Sequence, residues 1–227
     1  MDSAEVDASL AVQVIDLDYE TDPAVIAALK EKGIRTICYI SVGSWEDWRP
    51  DADQFPAKLL GKRYRGWQGE RWLDIRRLDL LAPLLQARMD QCQQSGFNGI
   101  EPDNMDIASN VSGFPITYAD QLAFAQWLAQ EAHARGLAIG QKNGPEMTAE
   151  LVDVFDFAIS EDCFAQGWCE ELLPYINAGK AVFAVEYTDT DVDFPAACRW
   201  ATQTDFSFIL KNRDLDAWMQ NCEDALK

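Results

Sequence analysis

The sequence predicts an α/β protein with the architecture of a β/α barrel, the TIM-barrel class. Seven apolar runs of strand length, rich in β-branched residues, recur along the 227 residues, and helical patterns separate most of them. Successive strands joined by helices are parallel neighbours, because a parallel pair needs a long connection. Most runs end in an acid, an amide or a hydroxyl residue, and a barrel gathers such strand ends at one face. An open doubly wound sheet would mark its ligand site with a Gly-rich phosphate turn, and the sequence contains none.

Local signals set the limits of each element. The predicted strands are residues 11–17, 34–42, 97–101, 137–140, 154–159, 181–187 and 206–210. Thr21-Asp22-Pro23 supplies a cap and a first-turn proline for one helix, and Thr117 with Asp120 three residues later opens another. The glycines that end the predicted helices are Gly33, Gly96, Gly136 and Gly179.

Length and charge limit the class of protein. The 227 residues fit one domain over residues 1–227. The net charge of −19 argues against nucleic acid or an anionic membrane as a partner and would attract a cationic substrate, although a solvated face that maintains solubility is the alternative. No apolar run reaches the roughly 18 residues of a membrane span, and the first ten residues lack the basic and apolar regions of a signal peptide.

The cysteines indicate disulfide bonds. Six cysteines are many for a reduced cytosolic protein. Within the predicted fold, Cys163 and Cys169 share one loop and Cys198 and Cys222 lie on the last two helices, so we expect these two pairs to be bonded. Cys38 and Cys92 are expected to be buried and free. Zinc is disfavoured, because the single histidine, His133, lies in a helical pattern and no CxxC motif occurs, and no metal or cofactor is expected.

Two strand ends carry the chemistry that the sequence suggests. The segments GFNGIEPDNMD and AISEDCF each end an apolar run in carboxylates. Rigid strand ends can hold two acids at a fixed separation, as acid/base chemistry on a sugar requires. The alternative is that these acids are ion-paired residues at the rim of the fold.

The chain resembles a known family at several motifs. These are CYISVGSWEDWRPD, GERWLDIR, GFNGIEPDNMD, IGQKN, SEDCF, VEY and KNRDLDAW. They resemble glycoside hydrolase family 114, the endo-α-1,4-polygalactosaminidases. The resemblance implies a (β/α)8 barrel, export from the cell, and cleavage of an α-1,4-linked galactosamine polymer such as galactosaminogalactan. Family members usually have one more strand before the stretch that matches VQVIDLDYETDP. The resemblance therefore implies that the usual first strand is missing or replaced here, or that a partner or another segment closes the barrel.

The resemblance also implies catalytic roles. Asp103 and Glu161 match the catalytic pair of the family. We expect Asp103 to be the nucleophile and Glu161 the general acid/base, with a pKa raised by the apolar strand behind it. Glu101 shares a strand face with Asp103 and is expected to point inward. It would pair with Lys142, unless the lysine reaches solvent instead.

Further residues are candidates for binding sugar hydroxyls or an ammonium group. They are Asp16, Asp18, Ser41, Trp45, Asn104, Asp106, Asn143, Glu186 and Tyr187. A turn or cap role is the alternative for each. The loop from Gly43 to Leu78 is long and carries Trp45, Trp48 and Trp67 among charged residues, which predicts a substrate wall. The alternative is a lid packed onto the barrel, which is favoured for Trp72.

The sequence therefore predicts a secreted or periplasmic, monomeric, retaining endo-glycosidase that acts on a cationic, partly deacetylated galactosamine polysaccharide. Two other classes stay open. One is a carbohydrate-binding barrel without catalysis, and the other is a glycosidase for another amino-sugar or a neutral polymer.

Overall fold

The computed structural model describes residues 12–227, which form two compact units. The N-terminal unit is Gln13–Ile139, and the C-terminal unit contains Gly140–Lys227. The assignment of all 227 residues to one domain stays a prediction. Residue 11, the first residue of the first predicted strand, lies outside the described residues.

The N-terminal unit alternates strands with helices. Its elements are β1 (Val14–Asp18), α1 (Pro23–Glu31), β2 (Arg35–Ser41), β3 (Ser44–Glu46), β4 (Leu60–Arg63), β5 (Glu70–Leu73), α2 (Leu78–Ser95), β6 (Gly99–Asp103), α3 (Tyr118–Ala134) and the first two residues of β7 (Ala138–Lys142). β1, β2, β6 and β7 pair in that order, each parallel to the next. A second, antiparallel sheet has the order β3, β5, β4.

The predicted helix signals are present. The side chain of Asp22 accepts a hydrogen bond from the backbone N–H of Ala24 and caps α1. Thr117 and Asp120 form a reciprocal capping box at the start of α3. Gly96 follows α2 with a φ of +91°, a backbone conformation in which glycine avoids the strain of a side chain.

Two buried arginines hold the segment between β2 and α2 in place. The guanidinium of Arg49 lies 2.8 Å from carboxylate oxygens of both Asp18 and Glu46. Arg88 of α2 binds Asp51 through two hydrogen bonds of 2.8 Å and donates a third to the carbonyl of Ser41. Such paired and hydrogen-bonded charges can be buried without leaving a lone charge in the interior.

The C-terminal unit continues the alternation. It contains the last three residues of β7, α4 (Thr148–Leu151), β8 (Phe157–Glu161), α5 (Cys163–Gln166), α6 (Leu173–Asn177), β9 (Val182–Tyr187), α7 (Phe194–Thr204), β10 (Ser207–Lys211), β11 (Met219–Asn221) and α8 (Cys222–Ala225). β7, β8, β9 and β10 pair in parallel, and β11 pairs antiparallel with the far edge of β10.

The predicted fold class is confirmed. All seven predicted strands are present, they pair in chain order, and helices or helical turns connect them. This is the strand order of a β/α barrel. Among residues 12–227, no helix has both the length and the hydropathy to cross a bilayer.

The disulfide predictions are partly correct. Cys163–Cys169 and Cys198–Cys222 are bonded as expected. The prediction that Cys38 and Cys92 are free is wrong, because β2 and α2 pack with these two residues facing each other, 6.0 Å apart at Cα, and their sulfurs are bonded. Both residues are fully buried.

We expect no free thiol in the denatured, unreduced protein, since all six cysteines are bonded. Replacing both Cys38 and Cys92 by alanine should lower the free energy of unfolding by about 4 kcal/mol, because the bond restricts a long loop of the unfolded chain. Thiol titration and denaturant unfolding measure the two quantities. Two titratable thiols in the wild-type protein would contradict this pairing.

Candidate active site

Asp103 is the last residue of β6 and the centre of the first candidate cluster. The Asp103 cluster consists of Tyr39, Ser41, Ser44, Glu70, Asp103 and Asn104. Asp103 is half-buried, and its Oδ2 accepts a 2.9 Å hydrogen bond from the hydroxyl of Tyr39 on the neighbouring strand β2. Tyr39 and Ser41 share a face of β2 by the two-residue alternation of a strand. The phenol therefore holds the carboxylate at the carboxyl end of the sheet.

The backbone around Asp103 is clamped. The N–H groups of Val42 and Gly43 donate to the carbonyl of Asp103 at 3.0 and 3.3 Å. A Cβ atom on Gly43 would lie 1.7 Å from the carbonyl oxygen of Asn104, so only glycine permits this approach. Asn104 itself has a φ of +64°, in the left-handed region where asparagine is among the few tolerated residues.

The side chain of Asn104 holds that conformation. Its Nδ2 donates to Ser41 Oγ at 3.0 Å and to Ser44 Oγ at 3.2 Å, and the two serine oxygens lie 2.8 Å apart. Ser41 is fully buried and Asn104 is 8% exposed. Their polar atoms bond to the protein and fix the end of β6, and the binding of substrate by Ser41 and Asn104 stays a prediction.

Glu70 carries a perturbed carboxyl group next to Asp103. Ser44 Oγ donates to Glu70 Oε2 at 2.5 Å. Burial raises the pKa of Glu70, and the negative charges of Glu46 and Asp103 raise it further, to about 7, against the opposing effects of Ser44 and Arg49. The interaction with Asp103 places Glu70 within electrostatic reach of the predicted nucleophile.

The tryptophans between β2 and α2 separate into packed and exposed residues. Trp72 is 3% exposed and belongs to the core, as favoured from the sequence. Trp45, predicted to bind substrate, is half-buried and donates its indole N–H to the carbonyl of Ala52 at 2.9 Å, which indicates a packing role. Trp48 and Trp67 are 53% and 54% exposed, and their rings offer apolar surface to solvent.

Glu161 is the last residue of β8 and the centre of the second cluster. The Glu161 cluster consists of Lys142, Asn143, Glu161, Tyr187 and Arg213. Lys142 Nζ lies 3.1 Å from Glu161 Oε2, and Tyr187 donates a 2.5 Å hydrogen bond to Glu161 Oε1. Asn143 accepts from the backbone N–H of Glu161 at 2.9 Å and donates to its carboxylate at 3.3 Å. The side chain of Glu161 keeps 30% of its surface exposed, against 6% for Lys142.

The charge state of Glu161 differs from the expectation. Burial alone would raise the pKa of Glu161, but the charge of Lys142 and the hydrogen bonds from Tyr187, Lys142 and Asn143 outweigh it and lower the pKa to about 2. The predicted raised pKa is therefore wrong for the free protein, because an opposite charge lies beside the carboxylate. Burial and the nearby carboxylate raise the pKa of Tyr187, so its hydroxyl stays a donor.

Arg213 supports Tyr187 from behind. Its guanidinium carbon lies 3.8 Å from the centre of the Tyr187 ring, close enough for a cation–π interaction. The same guanidinium bonds to Asp162 and to Asp189 at 2.9 Å. The ring is therefore held between Arg213 and Glu161.

Glu186 has a structural role. It is fully buried, and its two carboxylate oxygens accept the backbone N–H groups of Phe164 and Ala165 at 2.8 and 3.1 Å. These bonds hold the carboxylate against the start of α5, and the binding of substrate by Glu186 stays a prediction. Among the described residues, one group of potential metal ligands is Cys163, Cys169 and Glu186, but the two cysteines are bonded to each other and offer no thiolate.

The remaining predicted binding residues of the N-terminal unit lie on β1, on β6 and in the turn after β6. Asp16 and Asp18 are half-buried on β1, and Asp18 is bonded to Arg49. Glu101 is buried, as expected for an inward residue, and its predicted pairing with Lys142 stays a prediction. Asp106 is half-buried in the turn after β6.

Sequence reasoning missed Tyr39, Glu70 and Arg213. All three lie within motifs that carried the family resemblance, CYISVGSWEDWRPD, GERWLDIR and KNRDLDAW. The signal was therefore present, but no residue in those motifs could be connected with Asp103 or Glu161 without the fold.

Comparisons with known proteins identify the family of the chain. The family model described as Glycoside-hydrolase family GH114 matches residues 2–227. The crystal structure of Aspergillus fumigatus Ega3 in complex with galactosamine is similar at 33% identity and a TM-score of 0.90, over 96% of this chain and 91% of that chain. The chain belongs to glycoside hydrolase family GH114. It is therefore a glycoside hydrolase.

More distant structures share the fold. The glycoside hydrolase domain of PelA from Pseudomonas aeruginosa has 18% identity and a TM-score of 0.70, over 93% of this chain and 91% of that chain. The α-galactosidase TtGalA from Thermus thermophilus has 12% identity and a TM-score of 0.62, over 97% of this GH114 chain and 59% of that chain. A comparison with curated proteins gives no match.

Replacing Lys142 by methionine should raise the pKa of Glu161, because the neighbouring positive charge is lost while burial remains. The wild-type pKa lies below its ordinary value of 4.5, so this interaction stabilises the protein fully above pH 4.5 and is lost as the pH falls towards 2. Between pH 4.5 and pH 2, the melting temperature of Lys142→Met should therefore fall less than that of the wild-type protein.

The matched control is Glu161→Gln, which removes the titrating group. It should reduce the same acid sensitivity with Lys142 still present. An unchanged slope in both variants would show that the Lys142–Glu161 pair does not contribute to acid unfolding.

Proposed function

We propose that this GH114 hydrolase cleaves a cationic, partly deacetylated galactosamine polysaccharide within the chain, with Asp103 and Glu161 as its catalytic carboxylates. The similarity to Ega3, whose structure contains galactosamine, is the observation that carries the substrate assignment. The family membership over residues 2–227 supports the reaction class.

The positions of the two carboxylates support the catalytic assignment. Asp103 and Glu161 each end a parallel strand, and each is held by its own cluster of hydrogen bonds. In β/α barrels the carboxyl ends of the strands form the catalytic face. Glycoside cleavage needs two such carboxyl groups, one for the leaving oxygen and one for the sugar carbon or for water.

The proposed reaction retains the configuration at the anomeric carbon. Asp103 attacks that carbon, and the bond to the leaving oxygen breaks as Glu161 gives this oxygen a proton. Glu161 then takes a proton from water, whose oxygen attacks the same carbon and releases Asp103. Fixed backbone and side-chain contacts around Asp103 favour a single approach direction.

The ionised state of Glu161 suits its role as the general base in the second step of the proposed reaction. Lys142 keeps Glu161 ionised in the free protein, which is the form that removes a proton from water. The acid step needs a proton on Glu161. The proposal therefore includes a weaker Lys142 contact once substrate covers the carboxylate.

Substrate attraction follows from charge and aromatic surface. The net charge of −19 favours a polycation, and the exposed rings of Trp48 and Trp67 can stack on the apolar faces of sugars. Asp47 is exposed beside Trp48 and can meet an ammonium group. Three disulfides further support export into an oxidising compartment. A monomeric state stays part of the proposal.

Asp103→Gly and Glu161→Gly should each lower kcat on a partly deacetylated galactosamine polymer by at least about 100-fold, the scale of a catalytic carboxylate. On an aryl glycoside of a galactosamine oligomer, whose leaving group departs without protonation, added azide should restore turnover in both. The nucleophile variant gives a glycosyl azide of inverted configuration, and the acid/base variant gives one of retained configuration, so NMR of the product assigns the roles. Near-normal turnover in either variant would contradict the catalytic pair.

Cleavage of the cationic polymer should weaken as salt rises from 0.01 to about 0.5 M, because screening reduces the attraction of an acidic protein for a polycation. The effect is expected in kcat/KM. The fully N-acetylated polymer is the matched neutral substrate. Faster cleavage of the neutral polymer, with no salt dependence for either, would identify a glycosidase for neutral chains.

A further inference from the structure

Glu70 is a buried carboxylic acid that the proposed reaction does not use. It is the first residue of β5, is 8% exposed, and lies opposite Glu46 in the antiparallel sheet. A carboxyl group in such a position is costly to ionise unless a positive charge balances it. Arg49 is bonded to Glu46 and Asp18 and acts on Glu70 only from a distance.

A directed chain of hydrogen bonds connects Glu70 with the residue that follows Asp103. Ser44 has one hydroxyl proton, and Ser44 Oγ donates it to Glu70 Oε2 at 2.5 Å. Ser44 Oγ therefore accepts from Asn104 Nδ2, which lies 3.2 Å away. Asn104 Nδ2 also donates to Ser41 Oγ. The order of the chain is Asn104, Ser44, Glu70.

This chain of hydrogen bonds ends at a turn whose backbone conformation few residues can adopt. Asn104 is in the left-handed region, and its carbonyl lies against Gly43. The adjoining carbonyl of Asp103 accepts from Val42 and Gly43. Loss of the Asn104 side-chain bonds would free the turn to relax and would move the Asp103 carboxylate with it.

The groups facing Glu70 determine how it responds to pH. They are the acids Glu46 and Asp103, the hydroxyl of Ser44 and the cation Arg49. Burial and the two acids favour the neutral form and raise the pKa of Glu70 to about 7. Ionisation would strengthen the bond from Ser44 but would place a second negative charge beside Asp103, and repulsion between the two carboxylates would displace the Asp103 side chain from its bond to Tyr39.

We propose that Glu70 is a positioning residue for Asp103: it holds Asn104 through Ser44, and its ionisation, which places a second negative charge beside Asp103, sets the upper pH limit of catalysis. This inference rests on the proposed role of Asp103. Glu70 does not contact the reacting atoms in this proposal. Its contribution is the fixed orientation of the nucleophile.

Glu70→Gln separates the proposed role from simple folding, because glutamine keeps an acceptor for Ser44 and cannot ionise. Because the pKa of Glu70 is about 7, about a tenth of the wild-type molecules have a protonated Glu70 at pH 8. We therefore expect the ratio of Glu70→Gln kcat to wild-type kcat to rise about tenfold between pH 5.5 and pH 8. Titration of the substrate amines cancels in this ratio.

Two further variants complete the experiment. Glu70→Ala removes the acceptor and should lower kcat by about tenfold or more at every pH while KM stays within about threefold. Glu31→Gln removes an exposed carboxylate at the C-terminal end of α1, outside the Asp103 cluster, and its ratio to wild type should be flat. A flat ratio for Glu70→Gln, or normal kcat for Glu70→Ala, would overturn the proposal.

A stability measurement separates this inference from the proposed function. The folded pKa of Glu70 lies above its ordinary value of 4.5, so the wild-type protein loses stability as the pH rises from 4.5 to about 7. The melting temperature of Glu70→Gln relative to wild type should therefore rise across that window. Activity in both Asp103→Gly and Glu161→Gly would refute the proposed function. Inactivity of both, with a flat Glu70→Gln ratio, would refute only the positioning role.

Discussion

The close approach of Gly43 to the carbonyl of Asn104 is the constraint on which the Asp103 cluster depends. No side chain fits between them, so the turn after β2 and the turn after β6 pack backbone against backbone. Two N–H groups reach the Asp103 carbonyl because of this contact, and the two serines reach the Asn104 amide. Main-chain geometry therefore fixes the backbone that carries the Asp103 carboxylate, and the Tyr39 hydroxyl holds the carboxylate itself.

Glu70 and Glu161 both have largely buried carboxyl groups, but their neighbours shift their pKa values in opposite directions. Burial raises the pKa in both, because it disfavours charge. The neighbours then decide the outcome: Glu70 faces other acids and has a pKa of about 7, whereas Glu161 faces Lys142 and stays ionised.

The sequence was informative about strands and their ends, and much less so about contacts between elements. Asp103 and Glu161 could be placed at strand ends because apolar runs are local patterns. The Cys38–Cys92 bond was mispredicted because it requires the facing sides of β2 and α2. The antiparallel sheet of β3, β4 and β5 was missed because its strands are short and charged, with Glu46 and Arg63 among their residues. The lysine partner of Glu161 likewise depends on the register of β7 against β8, which places Lys142 opposite Ile159.

The short final strand β11 has a consequence for handling the protein. It covers the outer edge of β10, and the Cys198–Cys222 bond ties the segment that follows it to α7. A deletion from Met219 onwards would strip that edge and expose a row of backbone donors and acceptors to other molecules, which is a common origin of aggregation. Shortened versions made for crystallisation should therefore keep this tail.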